Sequence, residues 1–438
     1  DLTGPLSTEL TNDIPHRLES VKILPPTGQN APHLYGWVTS EATRKVEAAK
    51  GERKRTYAMM TTAIGKTTGL PSEWSASIDA MAFGLNGGES YKAGIPVFDT
   101  KVASLKRRLF VISAGNVPWN LWNNYPTQND LFEVENPGQA WNAITVGACT
   151  DLVGIDGAKW PSLQPISGVG LLSPSSTTSL LWQRRWPFKP DVVAEGGNGS
   201  IDTKLGAAVT VGPESLRLLT TSHDMTAASL CESGDTSAAA AEVARICGHL
   251  QTRYPDYWPE TIRALVVHGA KLTVSMRAQL PLVPLKQHKE AILRRYGYGR
   301  VDYRGSANSA SNRPTLILQE VITPYAKDGS AIKLKELNMH DLPWPSQQLL
   351  DLHEQSVAMR VTLSYFVEPN PSQRGWQSKF RYQSHGLRFA VKGATETDER
   401  FGQRINKIDR DELEADEQES MTDPDREHWF LGAHLRSR

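Results

Sequence analysis

The sequence predicts an α/β protein: a mostly parallel sheet with helices on both faces, followed by a smaller C-terminal β domain. Two observations point there. Over the first 300 residues, short apolar runs alternate with stretches of helical periodicity, the pattern of βαβ units. After "ANSASNRP" (307–314), a linker composition, apolar runs follow one another without long helices between them. The chain of 438 residues is long for one domain and comfortable for two. The expected division is 1–305 and 306–438.

The elements follow in order. "HRLESVKIL" (16–24) reads as a strand and "TSEATRKVEAAK" (39–50) as a helix capped near Ser40. "KRTYAMMTTA" (54–63) is rich in strand formers. "PSEWSASIDAMAFG" (71–84) places Trp74, Ile78 and Met81 at helical spacing. "RRLFVISAGN" (107–116) is the clearest strand, five apolar residues before a Gly-Asn stop. "AWNAITVGAC" and "FKPDVVAEGG" are two further buried-looking runs. In "CESGDTSAAAAEVARICGHL" (231–250), Val243, Ala244, Cys247 and Leu250 share a helix face, and "RYPDYWPET" breaks that helix. A second helix starts near Pro259, a favoured first-turn residue. In the C-terminal part, "TLILQEVI", "VAMRVTLSYFV" and "GLRFAVKG" read as strands, and "DRDELEADEQES" (409–420) as a solvated acidic run.

The totals exclude several function classes. Lys and Arg number 48, as do Asp and Glu, so no cationic excess recommends nucleic acid as the main partner. No run of 18 apolar residues suggests a membrane span. The three cysteines (Cys149, Cys231, Cys247) have no Cys-x-x-Cys spacing, which favours a reducing compartment, the cytoplasm, over a disulfide framework. No metal or cofactor motif stands out.

The chemistry concentrates around Ser237. A serine needs a base to become a nucleophile, and acyl transfer needs N–H donors aimed at the new oxyanion. A helix N-terminus offers free N–H groups and the positive end of the dipole. The alanines after Ser237 allow close approach. An ordinary N-cap serine on a packed helix has the same local sequence. Asn116 ends a buried strand, where ligands of parallel sheets bind, and its amide suits an oxyanion donor. A turn asparagine explains it equally well when taken alone.

Taken in order, the motifs say more. "LFVISAGN", "AWNAITVGA", "KPDVVAEGG", "SGDTSAAAAEVA" and "YGYGRVD" resemble the later two-thirds of a subtilisin-like (S8) serine peptidase domain, over roughly residues 15–305. The resemblance implies peptide-bond hydrolysis with Ser237 as nucleophile and Asn116 as the oxyanion asparagine. It places Thr236 beside the nucleophile, Ser113, Ala114 and Gly115 on the strand flanking the specificity pocket, and Met60 and Thr61 on the strand that pairs with substrate backbone. It implies no cofactor and a protein or peptide substrate. Three positions depart from the pattern: Asp235 stands between Gly234 and Thr236, Glu195 replaces a proline, and Ala241 stands near another. No histidine precedes Gly-Thr, as the family's catalytic histidine does, and the expectation is that the triad Asp and His lie before Asp1. The piece alone is then nearly inactive. His223-Asp224 in "TTSHDMT" reads as a polar loop. "HRLESVKILPPTG", "LLTTSHD" and "VTLSYFVEPNP" resemble a bacterial subgroup encoded beside an AAA-type ATPase in antiphage defence, which implies an ATPase partner. Two rivals remain: a pseudoprotease that binds without cleaving, and an esterase, whose Gly-x-Ser-x-Gly elbow this sequence lacks.

Overall fold

The computed structural model describes residues 16–308 apart from 66, 93–94, 100–105, 184–185 and 210–211, and interrupted stretches between 315 and 405. Helix α1 (Tyr35–Ala49) leads to strand β1 (Thr56–Met59) and helix α2 (Glu73–Phe83). A hairpin, β2 (Asn86–Lys92) and β3 (Ile95–Asp99), precedes β4 (Leu109–Ser113). A short α3 (Thr127–Leu131) and β5 (Ile144–Thr150) follow, then β6 (Leu163–Pro165), β7 (Leu171–Leu172), β8 (Val192–Glu195), β9 (Ser200–Asp202) and β10 (Ala207–Ala208). Antiparallel β11 (Leu218–Thr221) and β12 (Leu230–Ser233) lead into the long α4 (Asp235–Arg253). Helices α5 (Pro259–Gly269), α6 (Val274–Arg277), α7 (Lys286–Tyr296) and α8 (Tyr303–Asn308) complete this part, and a hairpin of β13 (Tyr325–Asp328) and β14 (Ala331–Leu334) lies beyond.

The central sheet is α/β in character. Strands β1, β4, β5 and β8 run parallel in that order, with Met59 opposite Ile112, Ser113 opposite Val146 and Cys149 opposite Glu195. Strand β7 pairs antiparallel with the end of β5. Every residue of β4, β5 and β8 is buried. Burial on both faces explains why these strands read as continuous apolar runs rather than alternating ones. Helix α4 packs across β1, β4, β5 and β8. Its Ala239, Ala240, Val243, Ile246 and Leu250 join Phe110, Ile112, Ile144 and Val146 in the core, with Ile78 and Met81 of α2 and Ile262 and Val266 of α5. Each large side chain buried there contributes about 1.5–3 kcal/mol.

Two expected starts differ. Residues 16–24 form no strand: Leu18, Val21 and Leu24 face water, while Ile23 packs on the core. Polar contacts hold this stretch instead, with Glu19 bound to Arg53 at 2.5 Å and to Arg55 at 2.6 Å. Helix α1 starts at Tyr35, ahead of the expected cap at Ser40, which lies buried inside it. Thr39 and Thr43 return their hydroxyls to the carbonyls of Tyr35 and Thr39, and Trp74 Nε1 donates to Thr39 Oγ1 at 2.9 Å. The threonines therefore act inside the helix rather than capping it.

The stretch 359–367, expected as a strand, is irregular and lies against the first 305 residues. Side chains satisfy its backbone. Val367 N donates to Asn142 Oδ1 and Asn142 Nδ2 donates to Val367 O, both at 2.8 Å. Arg263 donates to Tyr365 O at 2.5 Å and to Ser364 Oγ at 2.9 Å. Phe366 and Val367 are buried. Further on, Tyr382 donates its hydroxyl to Asp79 Oδ2 at 2.6 Å. Residues 307–308 belong to α8, with Ala307 buried, while 309–314 of the expected linker lie outside the described residues.

Asp79 is fully buried and also accepts from Asn142 N at 2.7 Å. Burial pushes its carboxyl up to about 6 even so, from an ordinary value of 3.8. The folded chain therefore holds the Asp79 proton more tightly than the unfolded chain. This stabilisation is full below pH 3.8 and is lost as pH rises through about 6. Its size is about 3 kcal/mol. Asp79→Asn keeps one acceptor and offers Tyr382 a donor. Denaturant unfolding of both proteins at pH 4 and pH 7 should show the parent losing up to about 3 kcal/mol more than the variant between the two. Equal losses would place the buried charge elsewhere.

Candidate active site

The site forms where the carboxyl ends of β1 and β4 meet the start of α4. The helix begins at Asp235, with Gly234 as its N-cap, so Ser237 is its third residue and not the N-cap. The first N–H groups of a helix have no partner within it. Here Asp235 N donates to Gly196 O at 2.6 Å, Thr236 N donates to Asn116 Oδ1 at 3.1 Å, and Ala238 N donates to Gly234 O at 3.1 Å. Among the described residues nothing accepts from Ser237 N or bonds to Ser237 Oγ. Both groups sit on a half-buried residue that water, or a substrate, can reach.

Thr236 fixes Asn116. Its hydroxyl lies 2.8 Å from Asn116 Oδ1 and 3.1 Å from Gly115 O, and Thr236 itself is fully buried. With Oδ1 held by an N–H and a hydroxyl of one residue, the amide plane of Asn116 is set. Its Nδ2 is left as a donor with no partner among the described residues. Two sequence-predicted residues, Asn116 and Ser237, thus each present an uncommitted N–H, and the third, Thr236, joins them. Asn116 also bridges to Ser176, so it is not in a free turn.

The approach to this point is closely packed. Asp235, between Gly234 and Thr236, has φ +65°, the left-handed region that glycine enters freely. Arg217 pairs with its carboxylate at 3.2 Å. Gly196 is required beside it: a Cβ there would lie 2.5 Å from Ala148 Cβ and 2.8 Å from Asp235 O. Glu195, where the family pattern has a proline, is buried and accepts from Asp151 N at 2.7 Å and Gly197 N at 2.9 Å, which ties two loops together below α4.

Ser113 ends β4, and Ala114 and Gly115 follow it, all three buried. Met60 and Thr61 continue from β1, half-buried, just past the last paired residues, Met59 and Ile112, as Ser113 does on β4. Sequence reasoning missed Glu135 and Thr62. Glu135 accepts from Thr62 Oγ1 and from the Asn116 backbone N–H, and burial pushes its carboxyl up. Nothing in "LFEVENPGQ" signals this, because its neighbours come from distant segments.

Other groups stand apart. His16 and His249 lie ring to ring at 5.2 Å near the far end of α4, about 18 Å along the axis from Ser237. His268 bonds Thr362, and His223 is exposed in the turn between β11 and β12, where Asp224 makes local hydrogen bonds. Burial pushes the Cys149 and Cys247 thiols up, which makes them inert packing residues. Among the described residues no group of three or more His, Cys, Asp or Glu could hold a metal ion, and no helix is long and apolar enough to cross a membrane.

Comparison with known proteins gives a family. Residues 5–299 match the model of Peptidase_S8, the subtilase family. Among solved structures, a lanthipeptide protease is 16% identical over 66% of this chain and 69% of its own, with a TM-score of 0.37. The self-cleaved protease domain of PatA is 12% identical over 62% of this chain and 67% of its own, with a TM-score of 0.35. An epidermin leader peptide processing serine protease from Staphylococcus aureus is 18% identical over 47% of this chain, with a TM-score of 0.28, and the match spans 41% of its length. No curated protein matches the sequence.

The backbone at Asp235 makes a test independent of activity. Asp235→Gly removes a left-handed non-glycine residue, a gain of about 1 kcal/mol, and loses a half-exposed ion pair worth roughly 0.2–1 kcal/mol. The two nearly cancel. Asp235→Val puts a β-branched residue in the same region and should cost about 2 kcal/mol. Unfolding midpoints of both variants check the order; a glycine variant less stable than the valine one would contradict the geometry.

Proposed function

The chain belongs to the subtilase family, and from that premise we propose that it hydrolyses peptide bonds through an acyl-enzyme on Ser237. The observation that supports this most is the pair of uncommitted N–H groups, Ser237 N and Asn116 Nδ2, joined through Thr236. Ser237 Oγ attacks the scissile carbonyl carbon and gives its proton to a general base. The carbonyl oxygen becomes an oxyanion and accepts from the two N–H groups. The C–N bond then breaks, the amine leaves with the proton, and water releases the acyl group by the reverse sequence of proton transfers. The base is a histidine oriented by an aspartate, as the sequence resemblance implies. Thr236 acts through Asn116 as a positioning residue. The substrate backbone lies along Ser113, Ala114 and Gly115 on one side and Met60 and Thr61 on the other.

The substrate is a protein or peptide, and the enzyme works in the cytoplasm with an AAA-type ATPase partner in antiphage defence. These finer assignments draw on the sequence resemblance of the 16–36 and 361–371 segments and on three free cysteines.

The test is Asn116→Ala in the active enzyme. The amide gains its partner only when the oxyanion forms, so kcat should fall roughly 10²–10³-fold, about 2.7–4 kcal/mol, with KM little changed. The melting temperature of the same variant separates a structural effect. A destabilised variant with normal kcat per folded molecule would make Asn116 a structural residue and return the pseudoprotease reading.

A further inference from the structure

Glu135 is a buried carboxylate that the reaction above does not use. It is 8% exposed. Its two donors, Thr62 Oγ1 and the Asn116 backbone N–H, are both neutral. Among the described residues no Lys, Arg or His pairs with it, whereas the buried Lys189 has Asp191 at 2.7 Å and the buried Arg108 has Glu47 at 2.8 Å. Buried charges in proteins are usually paired, because desolvation without a counter-charge is costly. This molecule follows that rule at Lys189 and Arg108; Asp79 and Glu135 have only neutral hydrogen-bond partners, and of those two only Glu135 lies beside the Asn116 and Ser237 site.

The position is built rather than accidental. Gly115 has φ +97°, and a Cβ on it would collide with Cγ, Cδ and Oε2 of Glu135. The absent side chain at Gly115 is what admits the carboxylate between the ends of β1 and β4. Two main-chain bonds hold the residue there: Glu135 N donates to Ala114 O at 2.8 Å, and Gly138 N donates to Glu135 O at 2.7 Å. The segment is pinned again where Ala63 N donates to Asn136 O at 2.7 Å.

Asn116 has two faces in this arrangement. Its side-chain amide is the donor assigned above to the scissile carbonyl, and its backbone N–H bonds Glu135. A substrate residue whose carbonyl takes that amide therefore binds at the asparagine whose backbone N–H faces the carboxylate. We infer that Glu135 determines specificity, and that the substrate residue on the acyl side of the scissile bond is arginine or lysine. Its cation completes the ion pair that the free protein lacks. A neutral side chain there leaves the carboxylate desolvated and without a counter-charge, so the discrimination comes from both attraction and rejection.

This inference rests on the proposed use of Asn116 and Ser237, and the experiment keeps the two apart. Matched peptides differ only in arginine or citrulline, a neutral group of nearly the same shape, at the residue before the scissile bond. The enzyme should favour arginine roughly 10–100-fold in kcat/KM, the range of a buried charge-assisted hydrogen bond. Glu135→Gln, which keeps an acceptor for Thr62 and Asn116, should reduce the preference to within about threefold. Calorimetry of a peptide ending in arginine against its citrulline counterpart, on Ser237→Ala, reads the same preference without chemistry. Equal treatment of the two peptides by the parent, or a preference that survives in Glu135→Gln, overturns the inference and needs no assumption about catalysis. Selective binding with no hydrolysis by the active preparation leaves the inference standing and removes the proposed reaction instead.

Discussion

The contact between Thr236 and Asn116 is the constraint on which the site depends. It joins the carboxyl end of β4 to the first turn of α4, two segments 120 residues apart in sequence. Because Thr236 spends its N–H on Asn116 and shares its one hydroxyl proton between Asn116 Oδ1 and Gly115 O, the helix start cannot rotate without breaking these contacts. The consequence is that Ser237, one residue on, has its N–H left over, and the asparagine amide is turned outward. Small residues serve the same end. Gly196 lets the β8 loop reach Asp235, and the alanines after Ser237 let α4 lie close on the sheet.

Much of the α/β fold was legible in the sequence, for a physical reason. Strands β4, β5 and β8 are buried on both faces, so their apolar runs are unbroken and bounded by Gly, Asn or Pro. Helices α4 and α5 bury one stripe, so their periodicity shows. Other parts were not legible. Residues 16–24 have strand-like alternation, but their apolar side chains mostly face water, and ion pairs from Glu19 fix them. The stretch 359–367 alternates too, yet its backbone is answered by Asn142 and Arg263 rather than by a neighbouring strand. Neither partner could be found without the fold. Glu135 is the same kind of case: its meaning comes from a missing Cβ at Gly115, 20 residues away.

The C-terminal part enters the account through buried polar groups. Asn142 exchanges two hydrogen bonds with Val367 while its own backbone N–H is held by Asp79, and Asp79 takes the Tyr382 hydroxyl. Buried networks of this kind are stabilising only when every member is satisfied. Residues beyond 305 therefore complete the polar interior of the α/β part, at the end of β5 that lies opposite in the chain to its contacts with β7.

The central claim is that peptide hydrolysis proceeds through Ser237. The most direct measurement is to quench the active enzyme during turnover of a slow ester substrate and locate the bound acyl group by peptide mass spectrometry. The account predicts an acyl group on Ser237 that forms and decays at the rate of turnover and is absent in Ser237→Ala. Turnover with no acyl group on Ser237, and undiminished in Ser237→Ala, would contradict it.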